Sequence, residues 1–282
     1  MTIFEAYNST KKKLRDAGIE DDVFEAKQII KHITGLNSAQ ILANYNNRLT
    51  TFQQNNLTAI IHQRQVRYPL QYIFGQWDFY GRGFYVGPGV LVPRADTEIL
   101  VETALAFIKD KQNPKIADLC SGSGCIGITL GLEKPDAKVE LVEKYDAAFS
   151  YLEKNIQRNK ALNCTAFKGD IFSPENNGKE YDLIVSNPPY IPPEEMKEIS
   201  PETTFEPETA LKADDGGMEY YKAIIKNYSP YLKNGGMLAF EVGINASQKV
   251  AALLKSAGYI NIDIKKDLNG IERTVSGIKT EV

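Results

Sequence analysis

The stretch that decides the fold is Lys115-Ile116-Ala117-Asp118-Leu119-Cys120-Ser121-Gly122-Ser123-Gly124-Cys125-Ile126-Gly127. It begins as an apolar, strand-like run and passes through two closely spaced glycines into an apolar segment of helical character. Glycine permits the positive φ of a tight turn and lets a ligand approach the backbone. Such a strand–turn–helix unit is typical of an α/β sheet that binds ligands at the carboxyl ends of its strands.

Strand-like and helical runs continue to alternate beyond this unit. The runs of strand character span residues 115–120, 138–143, 165–170, 182–186, 237–242, 259–265 and 273–279. Helical runs follow Gly124, Asp146, Gly217 and Asn245. This alternation predicts a doubly wound α/β sheet that is mostly parallel. Only residues 266–272 separate the last two runs, which is too short for a crossover helix, so these strands are expected to form an antiparallel hairpin at one edge.

The first third of the chain has a different pattern. Short helical segments fill residues 2–67, and Thr2 with Glu5 has the spacing of a capping box. In the second of these helices, Val23 and Phe24 are expected on the buried face with Ile29, Ile30 and Ile33. Aromatic residues alternate with glycines from residue 69 to about residue 96, which predicts a β-hairpin. We therefore expect a small helical-bundle domain at residues 1–68, a hairpin linker at 69–97 and the α/β domain at 98–282.

Composition excludes several classes of protein. The chain has 282 residues and a net charge of −3, which disfavours a nucleic-acid binder held by phosphate contacts. No apolar run has the length of a membrane span, and the first residues lead into a polar helix and not a signal peptide, so a cytoplasmic protein without membrane association is expected. Cys120, Cys125 and Cys164 lack metal-type spacing, so neither a metal site nor a disulfide is expected.

Distinctive residues follow four consecutive strand-like runs. The glycine loop follows the first, Glu143 ends the second, Asp170 ends the third, and Asn187-Pro188-Pro189-Tyr190 follows the fourth. The carboxyl ends of parallel strands share one edge of a sheet, so these residues are expected in one site. Glu143 can accept hydrogen bonds from ribose hydroxyls, and Asp170 can accept one from an adenine amino group. Capping of the following turn is the alternative role of Asp170.

The Asn-Pro-Pro-Tyr step narrows the chemistry. Pro188 and Pro189 hold a short extended segment with free carbonyl groups, and Asn187 adds a side-chain carbonyl. Neighbouring acceptors suit an NH₂ group, which the ring of Tyr190 can cover. These features predict a transferase that acts on an NH₂ nitrogen. Two alternatives remain at this point: an NAD-binding protein, because the loop also satisfies G-x-G-x-x-G, and a tight turn that binds no ligand.

The chain resembles S-adenosylmethionine-dependent methyltransferases of amide or exocyclic amino nitrogens, and most closely the release-factor glutamine methyltransferase family. Asn-Pro-Pro-Tyr is shared with DNA adenine methyltransferases, whereas Pro-Arg-x-Asp-Thr-Glu and Phe-Glu-Pro are more specific. Cys120 departs from the pattern, since many relatives have glycine there; we expect this to be harmless because a strand end need not adopt positive φ. The segments that carry the resemblance are residues 69–75, 90–98, the glycine loop, 187–190, 205–207 and 272–275.

The resemblance implies a seven-stranded class I methyltransferase sheet with an antiparallel last strand, and S-adenosyl-L-methionine as the cofactor. Its implied substrate is the glutamine in the Gly-Gly-Gln tip of peptide-chain release factors. The helical domain is expected to recognise this protein, because the strand-end site is complete without that domain. Methylation of adenine or guanine amino groups in nucleic acid is the alternative, although no direct nucleic-acid contact is expected. Together with the strand-end argument, the resemblance assigns catalysis to Asn187, Pro188 and Tyr190. It assigns substrate binding to these residues and Pro189. The expected cofactor-binding residues are Asp118, Cys120, Ser121, Gly122, Ser123, Gly124, Glu143, Asp170, Ile171 and Asn187.

Overall fold

The computed structural model describes residues 1–174 and 180–280. The chain forms two compact units. The first comprises Met1–Gly75 together with Ser200–Phe205, and the second comprises Gln76–Ile199 and Glu206–Val282. The first unit thus extends beyond residue 68, because a short helix after Pro69 places Leu70 in the apolar cluster of this unit. Inclusion of Ser200–Phe205 was not expected from the sequence.

The first unit is helical. Thr2 and Glu5 form the predicted capping box, in which each side chain accepts a hydrogen bond from the backbone N–H of the other residue. The prediction for the second helix was wrong in part: Ile29 and Ile30 are buried, but Val23 and Phe24 are 51% and 49% exposed. The buried stripe of that helix starts instead from Asp22 and Ala26. The helices are α1 (Ile3–Asp16), α2 (Asp22–Thr34), α3 (Ser38–Ala43), α4 (Thr51–Gln65) and α5 (Leu70–Phe74).

A buried arginine ties Ser200–Phe205 to this unit. Arg64 is 1% exposed and donates to both carboxylate oxygens of Glu25 at 2.8 Å. It also donates to Glu202 at 3.0 Å, and Arg67 donates to the same carboxylate at 2.9 Å. Removing one partner of a buried ion pair typically destabilises a protein by roughly 3–5 kcal/mol. Glu202 therefore anchors the segment that contains it.

The second unit begins with the predicted hairpin, whose antiparallel strands are β1 (Gln76–Phe79) and β2 (Arg82–Tyr85). Phe79 and Phe84 are 2% and 0% exposed and belong to an apolar cluster of the α/β unit. The hairpin is therefore part of this unit's core.

The central sheet has seven strands in the order β5-β4-β3-β6-β7-β9-β8. β9 runs antiparallel to both β7 and β8, and the other neighbouring pairs are parallel, as predicted. The strands are β3 (Lys115–Leu119), β4 (Lys138–Glu143), β5 (Cys164–Lys168), β6 (Tyr181–Ser186), β7 (Leu232–Glu241), β8 (Tyr259–Lys266) and β9 (Glu272–Lys279). The helices are α6 (Glu98–Ile108), α7 (Cys125–Glu133), α8 (Asp146–Asn159), the short turn α9 (Asp214–Gly217), α10 (Glu219–Tyr228) and α11 (Ser247–Ser256).

Helices cover both faces of the sheet. In β6, Leu183 and Val185 join the apolar cluster that includes α6, α7 and α8, whereas Ile184 joins the cluster that includes α10 and α11. Alternation of side chains along a strand produces this division. Burial on both faces explains why the strands read as continuous apolar runs. Within residues 1–174 and 180–280, no helix is long and apolar enough to cross a membrane.

Candidate active site

A cleft opens where β3, β4, β5 and β6 end. The cleft encloses about 880 Å³ of empty space, including space that is open to solvent. The glycine loop contributes Cys120, Ser121, Gly122 and Ser123 to its wall. The later strand ends contribute Glu143, Asp170, Ile171, Asn187 and Pro189. Four of the predicted site residues are not part of the wall: Asp118, Gly124, Pro188 and Tyr190. Each of them lies within two positions of a lining residue in the sequence.

Asp118 lies behind the glycine loop. It is fully buried, and its Oδ2 atom accepts a hydrogen bond of 2.9 Å from the backbone N–H of Gly127. Burial raises the pKa of Asp118 to about 7. Its Oδ1 atom has no hydrogen-bond partner in the described part of the chain. Asp118 therefore joins the end of β3 to the start of α7 and supports the loop from beneath.

The backbone of the loop explains its two glycines and corrects the expectation for Cys120. Cys120 has φ +58°, so the prediction that this position does not need positive φ was wrong. A left-handed conformation costs an L-residue roughly 1–2 kcal/mol. Gly122 also has positive φ, and the space where its side chain would stand is open. Gly124 is needed for packing as well, because a Cβ atom there would lie 2.4 Å from Leu152 Cδ1.

Glu143 is held in one orientation at the end of β4. Its Oε2 atom accepts a 2.8 Å hydrogen bond from the backbone N–H of Gly122, and its Oε1 atom accepts one of 2.8 Å from that of Tyr145. The residue is only 6% exposed, yet it lines the cleft. Each carboxylate oxygen has a second lone pair, so Glu143 can still accept hydrogen bonds from a ligand.

Asp170 lies two residues beyond the end of β5. Its carboxylate pairs with Lys144 at 2.8 Å and accepts a hydrogen bond of 3.0 Å from the backbone N–H of Phe172. Partial burial acts to raise its pKa, but these two hydrogen bonds outweigh burial and the pKa is lowered. Asp170 thus caps the following turn and also presents an ionised acceptor to the cleft.

Asn187 and Tyr190 lie in the segment that follows the end of β6. Asn187 Nδ2 donates to the hydroxyl of Thr97 over 3.5 Å, and both residues line the cleft. The backbone N–H of Tyr190 donates to the carbonyl of Leu211 at 3.1 Å. Its ring packs where Gly243 has no side chain, since a Cβ atom there would lie 2.9 Å from the ring. Burial raises the pKa of Tyr190, so its hydroxyl is neutral.

Several polar residues near Asn187 were not identified from the sequence. Thr97 is 2% exposed, and Glu241, the last residue of β7, is 3% exposed. Burial raises the pKa of Glu241 to about 7, whereas the nearby polar side chains of Thr97 and Asn187 act to lower it. The sequence signal that could have identified Glu241 is its position at the end of an apolar strand-like run, as for Glu143.

Two ion pairs connect the motifs of the α/β unit. Arg94 pairs with Glu206, whose carboxylate also accepts a hydrogen bond of 2.9 Å from the backbone N–H of Val92. Arg273 pairs with Asp96 at 3.0 Å. These contacts join the Pro-Arg-Ala-Asp-Thr-Glu segment to Glu206 and to β9, and Arg94 and Pro207 line the same cleft as Asn187.

Comparison with known proteins adds two family models. Residues 5–75 match the model described as the PrmC N-terminal domain, and residues 95–217 match the Methyltransferase small domain. A release factor glutamine methyltransferase of Geobacter sulfurreducens is 34% identical over 98% of this chain and 96% of its own length. A protein of the same name from Bacillus cereus is 32% identical over 98% of both chains. One from Fusobacterium nucleatum is 33% identical over 95% of this chain and 77% of its own.

Solved structures share the fold at low sequence identity. The hMettl16 catalytic domain, solved in complex with the MAT2A 3'UTR hairpin 6, superposes with a TM-score of 0.58 at 15% identity and covers 80% of this chain and 83% of that one. A methyltransferase from Pyrococcus furiosus superposes with a TM-score of 0.52 at 15% identity, covering 82% of this chain and all of its own. Both support the class I methyltransferase architecture.

Proposed function

The chain belongs to the release factor glutamine methyltransferase family, and we propose that it uses S-adenosylmethionine to methylate the side-chain amide of the glutamine in the Gly-Gly-Gln motif of peptide-chain release factors. The observation that carries the proposal is that Asn187 and the glycine loop line the same cleft. A methyl donor and an amide acceptor must meet within one site. Amide chemistry explains the Asn-Pro-Pro-Tyr step, which an NAD enzyme would not need.

The cleft suits S-adenosylmethionine on the properties of its own residues. The backbone at Gly122 is open toward the ligand space, and Glu143 is fixed with free lone pairs. Glu143 would hold the ribose hydroxyls, and Asp170 would accept from the adenine amino group. When bound, the cofactor supplies an electrophilic methyl group on a positively charged sulfur.

Asn187 and Pro188 would orient the substrate amide. An amide nitrogen is a poor nucleophile because its lone pair is delocalised into the carbonyl group, so its position decides the rate. The Asn187 Oδ1 atom and the Pro188 backbone carbonyl would accept the two hydrogens of the substrate NH₂ group. Fixing such a geometry lowers a barrier by roughly 7–11 kcal/mol in ideal cases. The Nδ2 atom of Asn187 already donates to Thr97, which leaves Oδ1 as the atom able to accept.

The same carbonyl groups would assist the reaction electrostatically. Positive charge develops on the amide nitrogen as it gains a fourth bond, and aligned carbonyl dipoles stabilise that charge. Tyr190 follows the cleft-lining Pro189 and is partly exposed, so its neutral ring would cover the planar amide group at this edge of the cleft. Tyr190 is fixed for this task by its backbone hydrogen bond to Leu211 and by the close packing against Gly243.

The helical unit would recognise the release factor, while the α/β unit transfers the methyl group. Large apolar side chains remain exposed on the helical unit, including Phe4, Leu42 and Phe52 at 50%, 63% and 73%. These side chains are available for apolar contact with a protein substrate. A protein substrate also explains why a methyltransferase whose cleft is formed within the α/β unit carries an additional domain.

Labelled S-adenosylmethionine tests the proposed function. The protein is incubated with the labelled donor and with a release factor, the same release factor whose Gly-Gly-Gln glutamine is replaced by alanine, or nucleic acid. We expect label in the unaltered release factor alone, and mass spectrometry is expected to find one added methyl group on that glutamine. Label in nucleic acid, or equal label in the altered release factor, would contradict the proposal.

A further inference from the structure

An asparagine amide can present either of two opposite groups to a ligand. Rotation by half a turn exchanges its acceptor oxygen for its donor NH₂ group at nearly the same position. If Asn187 faced the substrate with NH₂, it would oppose another NH₂ group and could not accept. The proposed function therefore requires something that holds the Asn187 amide in one of its two orientations.

Glu241 lies where it can impose that orientation. β6 and β7 are parallel neighbours, and Ser186 pairs with Phe240 in the last registered position. Asn187 and Glu241 are the next residues along the two chains, so their side chains project toward the same side of the sheet. Glu241 is 3% exposed and is not part of the cleft wall. It therefore lies behind Asn187 and does not contact the substrate space.

The carboxyl group of Glu241 favours hydrogen-bond donors over acceptors in the side chains next to it. Asn187 Nδ2 donates to the Thr97 hydroxyl at 3.5 Å, and the side chains of both residues act to lower the pKa of the neighbouring Glu241. The Glu241 Oε2 atom has no hydrogen-bond partner among the described residues. An ionised carboxylate is an acceptor only. With the amide reversed, Asn187 Oδ1 would face this buried carboxylate, and two unpaired acceptors in a low-dielectric interior repel each other.

We propose that Glu241 is a positioning residue that holds the Asn187 amide with Nδ2 turned inward and Oδ1 turned toward the substrate. The inference rests on the proposed function, because only an amide substrate needs the oxygen of Asn187. Glu241 acts through Asn187 and Thr97, and it exchanges no proton with the substrate.

The surroundings of Glu241 determine how its ionisation is read out. Arg273 favours the charged form, and Asp96 opposes it. Arg273 is itself bound to Asp96 and Asp267, each at 3.0 Å, so it is only partly available to Glu241. Tyr190, Tyr221 and Cys125 also interact with Glu241. The pKa of each of these three is raised, so they are neutral at neutral pH.

Glu241→Gln tests the role with little change in volume. Glutamine introduces an NH₂ group beside Asn187, so both orientations of the Asn187 amide become possible. We expect the single-turnover rate of release-factor methylation at saturating cofactor to fall about tenfold or more. The affinity for S-adenosylmethionine, measured by calorimetry, is expected to stay within about twofold, since Glu241 does not line the cleft. Thr97→Val, which removes the hydroxyl that accepts from Asn187 Nδ2, is expected to lower the methylation rate in the same way.

A pH profile separates positioning from simple packing. Burial raises the pKa of Glu241 to about 7, and only the ionised form is solely an acceptor, so the wild-type rate is expected to rise through about pH 7. Glu241→Gln is expected to lose this rise. Asp118 provides the matched control, because burial raises its pKa to about 7 as well. Asp118→Asn, measured at saturating cofactor, is expected to retain the rise in rate.

Thermal melting completes the test. The folded pKa of Glu241 lies above its ordinary value of 4.5, so its ionisation opposes folding increasingly as pH rises from about 4.5 to about 7. Glu241→Gln is therefore expected to melt no lower than wild type at pH 8. Early melting or lost cofactor affinity would assign a structural role instead, and a wild-type rate with a wild-type pH profile would overturn the positioning role. Failure of the wild-type protein to methylate release factors would overturn the proposed function itself.

Discussion

Asparagine and aspartate have nearly equal volume, and that likeness separates two roles for Asn187. We expect Asn187→Ala to reduce single-turnover methylation by about two orders of magnitude, on the order of 3 kcal/mol, as for loss of one oriented transition-state hydrogen bond. Asn187→Asp is expected to retain more activity than Asn187→Ala because it can still accept. Folding and cofactor affinity are expected to remain nearly unchanged in Asn187→Ala.

The neighbouring carboxylate refines this comparison. A carboxylate at position 187 would lie near the buried Glu241, and the two cannot both ionise readily, so the advantage of Asn187→Asp is expected to shrink as pH rises. If Asn187 only shaped a turn, aspartate would be nearly silent at every pH, since it suits turns as well as asparagine does. A near wild-type rate for Asn187→Ala would remove Asn187 from the reaction.

Glu143 offers a second prediction, on cofactor affinity. Glu143→Ala removes acceptors for the ribose hydroxyls, and each lost charge-assisted hydrogen bond weakens binding by about 1.5–3 kcal/mol. It also frees the backbone N–H groups of Gly122 and Tyr145, so the loop itself is expected to loosen. Glu143→Gln keeps one acceptor and is expected to bind the cofactor with intermediate affinity. Calorimetry checks both variants, and unchanged affinity in Glu143→Ala would refute the assignment.

Among individual site residues, the sequence indicated those at strand ends but not the residues from elsewhere in the chain that contact them. Glu143 and Asn187 were recognisable because parallel strands share one carboxyl edge. Thr97 was not, since it meets Asn187 across 90 positions of sequence. The left-handed Cys120 was predicted wrongly because the strand was assumed to end in extended backbone, whereas the chain already turns at that residue.

Among the secondary-structure elements, the end of β7 controls the Asn-Pro-Pro-Tyr loop through Gly243. A methyl group at Gly243 would lie 2.9 Å from the ring of Tyr190, which must then move. We expect Gly243→Ala to reduce methyl transfer about tenfold while cofactor affinity remains unchanged. Gly277→Ala is the matched control, because its new Cβ atom would meet Tyr259 at 3.1 Å and leave Tyr190 untouched. Equal loss of activity in both variants would show that crowding of the sheet is responsible and not displacement of Tyr190.

The order and type of the helices and strands were largely predictable from the sequence, whereas the surfaces against which they pack were less so. Seven strands and the antiparallel hairpin followed from the alternation of patterns, because each crossover needs a helix. The buried face of α2 was misjudged because Asp22, which pairs with Arg15 at 2.8 Å, starts the buried stripe in place of Val23 and Phe24. No local pattern indicated that Ser200–Phe205 joins the helical unit, because long-range ion pairs to Glu202 hold it there.

For the whole molecule, the structure limits where the chain can be shortened. A fragment that begins near Gly87 would lack Phe79 and Phe84, which are buried in the α/β unit. A fragment that begins at Gln76 keeps both. Either fragment removes Arg64 and Arg67, the partners of Glu202. Loss of activity in a fragment therefore has two possible causes: a missing docking surface, or a released Ser200–Phe205 segment.

Residues 76–282 test the role of the helical unit when two substrates are compared. We expect this fragment to bind S-adenosylmethionine like the whole chain and to methylate a short Gly-Gly-Gln peptide at a similar rate. Its efficiency on an intact release factor is expected to fall at least tenfold, since each tenfold in affinity corresponds to about 1.4 kcal/mol of lost contact. The full-length variant Glu202→Gln controls for the released segment: it weakens the anchor but keeps the docking surface, so it is expected to treat both substrates alike. If the fragment methylates the intact release factor at the full rate, the helical unit supplies none of the binding energy for that substrate and must have another task.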